Sequence, residues 1–208
     1  MSKLAILGAS GHGKVVADTA ECCGWNSISF FDDAWPTLKN CNGWPVVGDT
    51  AHLLEKLNEY DGVFVAIGNN KVRLDKLNTL LSLGAHVPSL IHPFTSISQY
   101  AHINNGVVVM AGSVVNANAS IGMGVILNTS CSVDHDCVIG EGVHISPGAR
   151  LAGGVKVEPL AWIGIGAVVR QLMCIGANAM VGAGAVVVRD VEQDSMVLGN
   201  PAKVYSRS

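Results

Sequence analysis

Hydrophobic positions fall into two regimes along the chain. Up to residue 92, apolar runs alternate with polar, glycine-bearing turns. Lys3 to Leu7 reads as a buried strand, and Val15, Val16, Thr19 and Ala20 mark one face of a helix reaching about Cys23. Ile28 to Phe31 gives a second strand, Ala51 to Leu57 a helix, and Val63 to Ile67 a third strand. A further helix carries Val72, Leu74, Leu77, Leu80 and Leu81. Gly43 to Asp49 reads as a loop, and Lys71, Arg73 and Lys76 as the solvent face of the last helix. This alternation predicts a small parallel α/β domain over residues 1–92, too short for a full dinucleotide fold.

From Ile97 the step changes to six. Ile97, Ile103, Val109, Val115, Ile121, Leu127, Val133, Ile139 and so on to Val187 are all aliphatic, with no insertion in the count. Two residues before many of these stops stands a small side chain, as at Ala119, Cys131, Cys137, Ala149 and Ala161. Gly often follows the stop, as at Gly122, Gly140 and Gly164. A period of six fits neither a helix nor a long strand and signals a repeat architecture. It describes a chain that turns after each short strand, three strands to a triangular coil. About five coils then stack into a prism roughly 24 Å long over residues 93–208.

Composition narrows the classes. The 208 residues are 49% hydrophobic and 5% aromatic, which sets a core of Val, Ile, Ala and Gly. A net charge of −3 without a basic run argues against nucleic acid or an anionic membrane as partner. No stretch is long and apolar enough to span a bilayer, and none reads as a signal peptide, so a cytoplasmic location is expected. The 6 cysteines lack metal or disulfide spacing and read as free thiols of a reducing compartment.

Candidate chemistry gathers at three places. Gly8-Ala9-Ser10-Gly11-His12-Gly13-Lys14 joins the first strand to its helix, where backbone N–H groups and a helix N-terminus favour a phosphate. Ser10, Gly11, His12 and Lys14 are the candidates there, although the order of a dinucleotide fingerprint is lacking. Asp32 and Asp33 end the second strand, and Gly68 and Asn69 end the third, the side on which α/β sheets bind ligands. Within the prism, Asn128-Thr129 precedes Val133-Asp134-His135-Asp136, with His144 farther on. A histidine beside a carboxylate is the minimal general-base pair, placed by the coil geometry near an edge of the prism. Metal binding by His135, Asp136 and His144 is the competing reading, but the spacing matches no known ligand set.

The combination of these motifs with Gly199-Asn200-Pro201-Ala202-Lys203 resembles the bacterial nucleotide-sugar acetyltransferases of the PglD and sialic-acid O-acetyltransferase (NeuD) type. The resemblance covers the whole chain and implies a Rossmann-like N-terminal domain followed by a left-handed parallel β-helix. It further implies a homotrimer with sites between prisms, acetyl-CoA as co-substrate and no metal. By this resemblance His135 is the general base and Asp136 its acidic partner, at a position where relatives often carry the longer Glu. His144 contacts the acetyl carbonyl, Ile165 and Ala183 hold the pantetheine arm, and Gly199 to Ala202, Pro201 included, lies near the adenine. Ser10, Gly11, His12, Lys14, Asp32, Asp33, Gly68 and Asn69 bind the nucleotide and diphosphate, with Asn128 and Thr129 near the sugar.

The expected reaction is N-acetylation of a UDP- or dTDP-linked 4-amino-4,6-dideoxy sugar for surface glycans. The phosphate-type N-terminal turn favours this over O-acetylation of a sugar or sialic acid on the same scaffold. A non-catalytic β-helical scaffold and a metal-dependent enzyme are the remaining alternatives.

Overall fold

The structure, a computed structural model, describes residues 2–205 and comprises two compact units, Met1–Pro93 and Phe94–Ser208. The first is built from β1 (Lys3–Leu7), α1 (Gly11–Cys22), β2 (Ser27–Phe31), β3 (Asn40–Cys41), β4 (Trp44–Gly48), α2 (Thr50–Glu55), β5 (Gly62–Val65) and α3 (Asn70–Ser82). The strands lie in the order β3-β4-β2-β1-β5 and are parallel except β3, which runs antiparallel to β4. Leu4, Ile6, Phe30, Phe31 and Phe64 fill the core from β1, β2 and β5. Because β2 and β5 flank β1, the chain leaves the sheet in opposite directions beside β1. A crevice opens at such a switch point, beyond the carboxyl ends of the strands.

Two readings of this unit are corrected. Gly43 to Asp49 is not a loop: residues Trp44–Gly48 form β4, pairing Val46 with Phe30 and Gly48 with Phe31. Gly and Pro mask the alternation of buried Val46 and exposed Val47. Pro45 sits opposite Asn40 of the two-residue β3, where little ladder remains to interrupt. Arg73 does not face solvent but is 1% exposed, on the same side of α3 as Leu77 and Leu80. Its guanidinium donates to the carbonyls of Ile67 (2.9 Å) and Gly68 (3.1 Å) and to Asn70 Oδ1 (2.9 Å). These acceptors make burial of the cation tolerable. The helix expected over Ala51 to Leu57 starts at Thr50, capped by Asp49, and gives way to a 3₁₀ turn at Leu57–Glu59.

The second unit is a parallel β-helix with two-residue strands at each expected stop. One coil takes eighteen residues: Val115 pairs with Val133, then Leu151, Val169 and Val187 along one face. Ile121, Ile139, Val157 and Ile175 form the second ladder, and Val109, Leu127, Ile145, Ile163 and Val181 the third. These residues are buried, and with the small residues between them form one continuous core. Burial of each large aliphatic contributes about 1.5–3 kcal/mol, which drives closure of the coils.

The corners follow a second rule. Every sixth residue from Gly106 to Gly184 has a positive φ, and where it is not Gly it is Asn118, Ser130, Asp136, Leu160, Leu172 or Asn178. The glycines after the ladder stops serve another purpose. A Cβ on Gly122 would lie 2.8 Å from the backbone N of Glu141, and one on Gly140 would lie 2.6 Å from that of Pro159. They allow one coil to lie on the next; the residues at positive φ turn the corner.

Candidate active site

His135 occupies a prism corner between strands Ser132–Val133 and Val138–Ile139. On a strand, successive side chains point to opposite faces and neighbours do not meet. The corner removes that alternation: with Asp136 at φ 58, His135 Nδ1 lies 2.7 Å from Asp136 Oδ2. The short carboxylate therefore reaches the ring. One coil earlier, Asn118 Nδ2 donates to the other oxygen of Asp136 at 3.3 Å. Asp134 Oδ1 accepts from the backbone N–H of His135 and from Asn116 Nδ2, each at 2.8 Å. The side chains of His135 and Asp136 are more than half exposed.

This arrangement sets the charge state. The Asp136 hydrogen bond, and after it the charge of Asp134, hold the His135 imidazole above its ordinary pKa. The same bond from His135, helped by Asn118, holds Asp136 below the usual carboxylate range. With Nδ1–H committed to Asp136, Nε2 is the nitrogen left to take a proton. One coil later lies Gly153, whose φ is not in the left-handed region. A Cβ there would fall on the imidazole, 2.5 Å from Cε1 and 3.1 Å from Cδ2. Gly153 is thus small for the sake of the ring, not of the backbone.

A cavity of about 330 Å³ runs along the face opposite the His135 corner, formed by strands His144–Ile145, Trp162–Ile163 and Met180–Val181, and is bounded by His144, Ser146, Trp162, Ile165, Met180 and Ala183 among others. His144 is 7% exposed and packs on Trp162, with ring centroids 4.1 Å apart. Asn128 Nδ2 meets His144 Nε2 at 3.2 Å. The trough is mostly apolar, with one imidazole at its wall. Gly199 and Pro201 lie in the turn between Met196–Leu198 and Lys203–Val204, and the first of these strands pairs with Met180–Val181 of the trough wall. The carbonyl of Gly199 accepts from the N–H of Val186 at 3.0 Å.

In the α/β unit, Gly8 (φ 109) carries the chain out of β1, and a Cβ on it would lie 2.8 Å from the carbonyl oxygen of Ala66. Ser10 precedes α1 without capping it through its side chain, and Gly11 and His12 open the helix. His12 Nε2 is buried and has no hydrogen-bond partner among the described residues. Burial first, and then the charge of Arg73, lower its pKa to about 4. At neutral pH the ring is an uncharged donor and acceptor, while Lys14 on the first turn is exposed. Asp32 is engaged within the chain, accepting from Ala9 N (2.8 Å) and Ala34 N (2.9 Å). Asp33 accepts from Thr50 N at 2.9 Å. Asn69 caps α3 by accepting from Val72 N at 3.0 Å, and Gly68 holds Arg73 through its carbonyl.

Sequence reasoning missed Asn116, Asn118, Gly153, Trp162 and Arg73. The first four stand one coil of eighteen residues from Asp134, Asp136, His135 and His144, so stepping one coil from the motif finds them. Arg73 carried no such signal. Among the described residues, no group of three or more His, Cys, Asp or Glu is arranged to hold a metal ion. Nor is any helix long and apolar enough to cross a membrane.

Comparison with known proteins finds relatives that match the chain over both units. Residues 3–80 match the PglD N-terminal domain. The acetyltransferase domain of PglB from Neisseria gonorrhoeae, solved with acetyl coenzyme A, is 45% identical, with a TM-score of 0.93 over 98% of each chain. A histidine-to-asparagine variant of perosamine N-acetyltransferase from Caulobacter crescentus, solved with CoA and GDP-perosamine, is 36% identical. It covers 100% of this chain and 98% of its own, with a TM-score of 0.95. UDP-N-acetylbacillosamine N-acetyltransferase of Bacillus subtilis is 36% identical over 115 residues, 53% of this chain, and the match spans 52% of that relative's length. With an α/β unit, a left-handed parallel β-helix and a histidine–carboxylate corner in place, the chain belongs to the PglD-type family of nucleotide-sugar acetyltransferases.

Proposed function

We propose that the protein acetylates the 4-amino group of a nucleotide-linked 4-amino-4,6-dideoxy sugar with acetyl-CoA, in cytoplasmic synthesis of surface glycans. The nucleotide is UDP or dTDP in this reading, held by residues 1–92, with acetyl transfer assigned to residues 93–208 in a homotrimer. The observation that carries the reading is the His135–Asp136 pair at 2.7 Å, which leaves Nε2 as a general base.

Acetyl-CoA supplies an activated acyl carbon and a thiolate leaving group. The amine nitrogen attacks that carbon, and His135 Nε2 takes the proton it sheds as the C–N bond forms. His135 returns the proton to the sulfur as the C–S bond breaks, so the enzyme is unchanged after one turnover. Asp136 holds the ring and stabilises its transient positive charge. His144 of the partner subunit donates to the carbonyl oxygen as negative charge develops there, because within one prism His144 stands on the face opposite the His135 corner. Ile165 and Ala183 line the trough that holds the arm. His12 and Lys14 offer a neutral donor and a cation to the diphosphate, beside Ser10, Gly11, Gly68 and Asn69, and Thr129 lies toward the sugar.

The test is thiol release from acetyl-CoA against UDP-, dTDP- and GDP-linked 4-amino sugars, CMP-sialic acid and free sialic acid. GDP belongs in the panel because the Caulobacter relative was solved with GDP-perosamine. Turnover on one amino sugar, abolished in His135→Ala with the fold intact, is the expected result. Activity confined to sialic acids, or an unaffected His135→Ala, overturns the proposal. Light scattering that returns a monomer overturns the trimer.

A further inference from the structure

We infer that Asn128 is a positioning residue that fixes His144 as its Nδ1–H tautomer. The inference rests on the acetyl-transfer reading and gives Asn128 a role other than sugar contact. The backbone N–H of Thr129 lies 2.8 Å from Asn128 Oδ1, and a backbone N–H can only donate. The amide oxygen therefore faces Thr129, and the amide nitrogen faces His144 Nε2 at 3.2 Å. That nitrogen has only protons to offer, so Nε2 must present its lone pair. The imidazole is then uncharged and carries its proton on Nδ1.

The consequence is chemical. A thioester carbonyl, and the oxyanion that grows from it, can only accept hydrogen bonds. With Nε2 facing Asn128, Nδ1 is the ring nitrogen left to serve that oxygen, and it can do so only while it carries the proton. The surroundings hold the arrangement still: the carbonyl of Asn128 accepts from Ser113 Oγ at 2.8 Å, and Trp162 packs on the ring. The signal runs from the backbone of residue 129 through one amide to the imidazole.

The experiment reads the nitrogens directly. Long-range ¹⁵N–¹H spectra of histidine-labelled, ligand-free protein should show His144 as the Nδ1–H tautomer. In Asn128→Asp the carboxylate can only accept, and it should move the proton to Nε2. Asn128→Ala should release the preference. Both variants should lose about 100-fold in kcat, as for a lost oxyanion donor, with acetyl-CoA affinity and the KM for the sugar little changed. An Nε2–H tautomer in the wild-type protein overturns the inference whatever the activity. So do variants that leave the His144 nitrogens unmoved while the sugar KM rises, which would make Asn128 a sugar contact. The spectra need neither substrate nor turnover, so an inactive wild-type protein with the Nδ1–H tautomer would refute the acetyl-transfer reading and uphold the tautomer.

Discussion

Gly153→Ala separates the geometry of the base from the stability of the prism. The added methyl would stand 2.5 Å from His135 Cε1 and 3.1 Å from Cδ2, where carbon contacts settle at about 3.5–4.0 Å. The ring must withdraw by about 1 Å. Its side chain is 61% exposed, so it can swing outward at little cost in packing, but the swing pulls against the 2.7 Å bond to Asp136. A misplacement of about 1 Å of a catalytic group can lower a rate about 100-fold. Gly153 needs no left-handed backbone, so the same change should not destabilise the fold. Fewer unfolded conformations would add about 0.4–1 kcal/mol of stability if the ring yields freely. Gly154→Ala is the contrast, because φ 68 penalises any Cβ there and stability should fall by about 1 kcal/mol. Thiol-release kinetics and thermal melts on the two variants give the four numbers needed. If Gly153→Ala turns over at the wild-type rate, or loses stability as Gly154→Ala does, the steric account of this glycine is wrong.

Four further variants have outcomes set by the same structure. Asp136→Asn removes the largest cause of the raised His135 pKa. Because the neutral ring is the base, the acidic limb of the kcat/KM profile should move to lower pH as kcat falls; a limb that stays in place would remove Asp136 from the account. Arg73→Met deprives three oxygens of a charged donor and should cost about 3 kcal/mol in denaturant unfolding. The His12 ring, at about 4 in the wild type, should titrate higher by NMR once that charge is gone, and an unchanged titration would leave burial as the sole cause. Ile145→Ala, at the centre of a ladder between Leu127 and Ile163, should cost about 2–5 kcal/mol. Leu172→Gly should instead leave stability equal or up to about 1 kcal/mol higher, since that leucine is 75% exposed at φ 62.

The sequence by itself determined the repeat. An aliphatic residue every six positions admits one kind of backbone, and each expected stop from Ile97 to Val187 is the inner residue of a short strand. The phosphate-type turn after β1 and the histidine beside two carboxylates were legible too, because a glycine pattern and a dipeptide are local. What the chain could not declare is which residues face one another once the coils close. The donors behind Asp134 and Asp136, the missing Cβ under His135 and the indole beside His144 all lie eighteen residues away. Their roles exist only at the spacing of stacked coils. The two kinds of glycine look alike in the sequence, yet one relieves a backbone angle and the other admits a neighbouring coil. In the α/β unit, β4 and Arg73 were misread for a related reason. Polarity along the chain records what each side chain prefers on its own. A proline-bearing strand is accepted because β2 and β3 pair with it, and a buried cation because two carbonyls and an amide converge on it; only the tertiary structure supplies those partners.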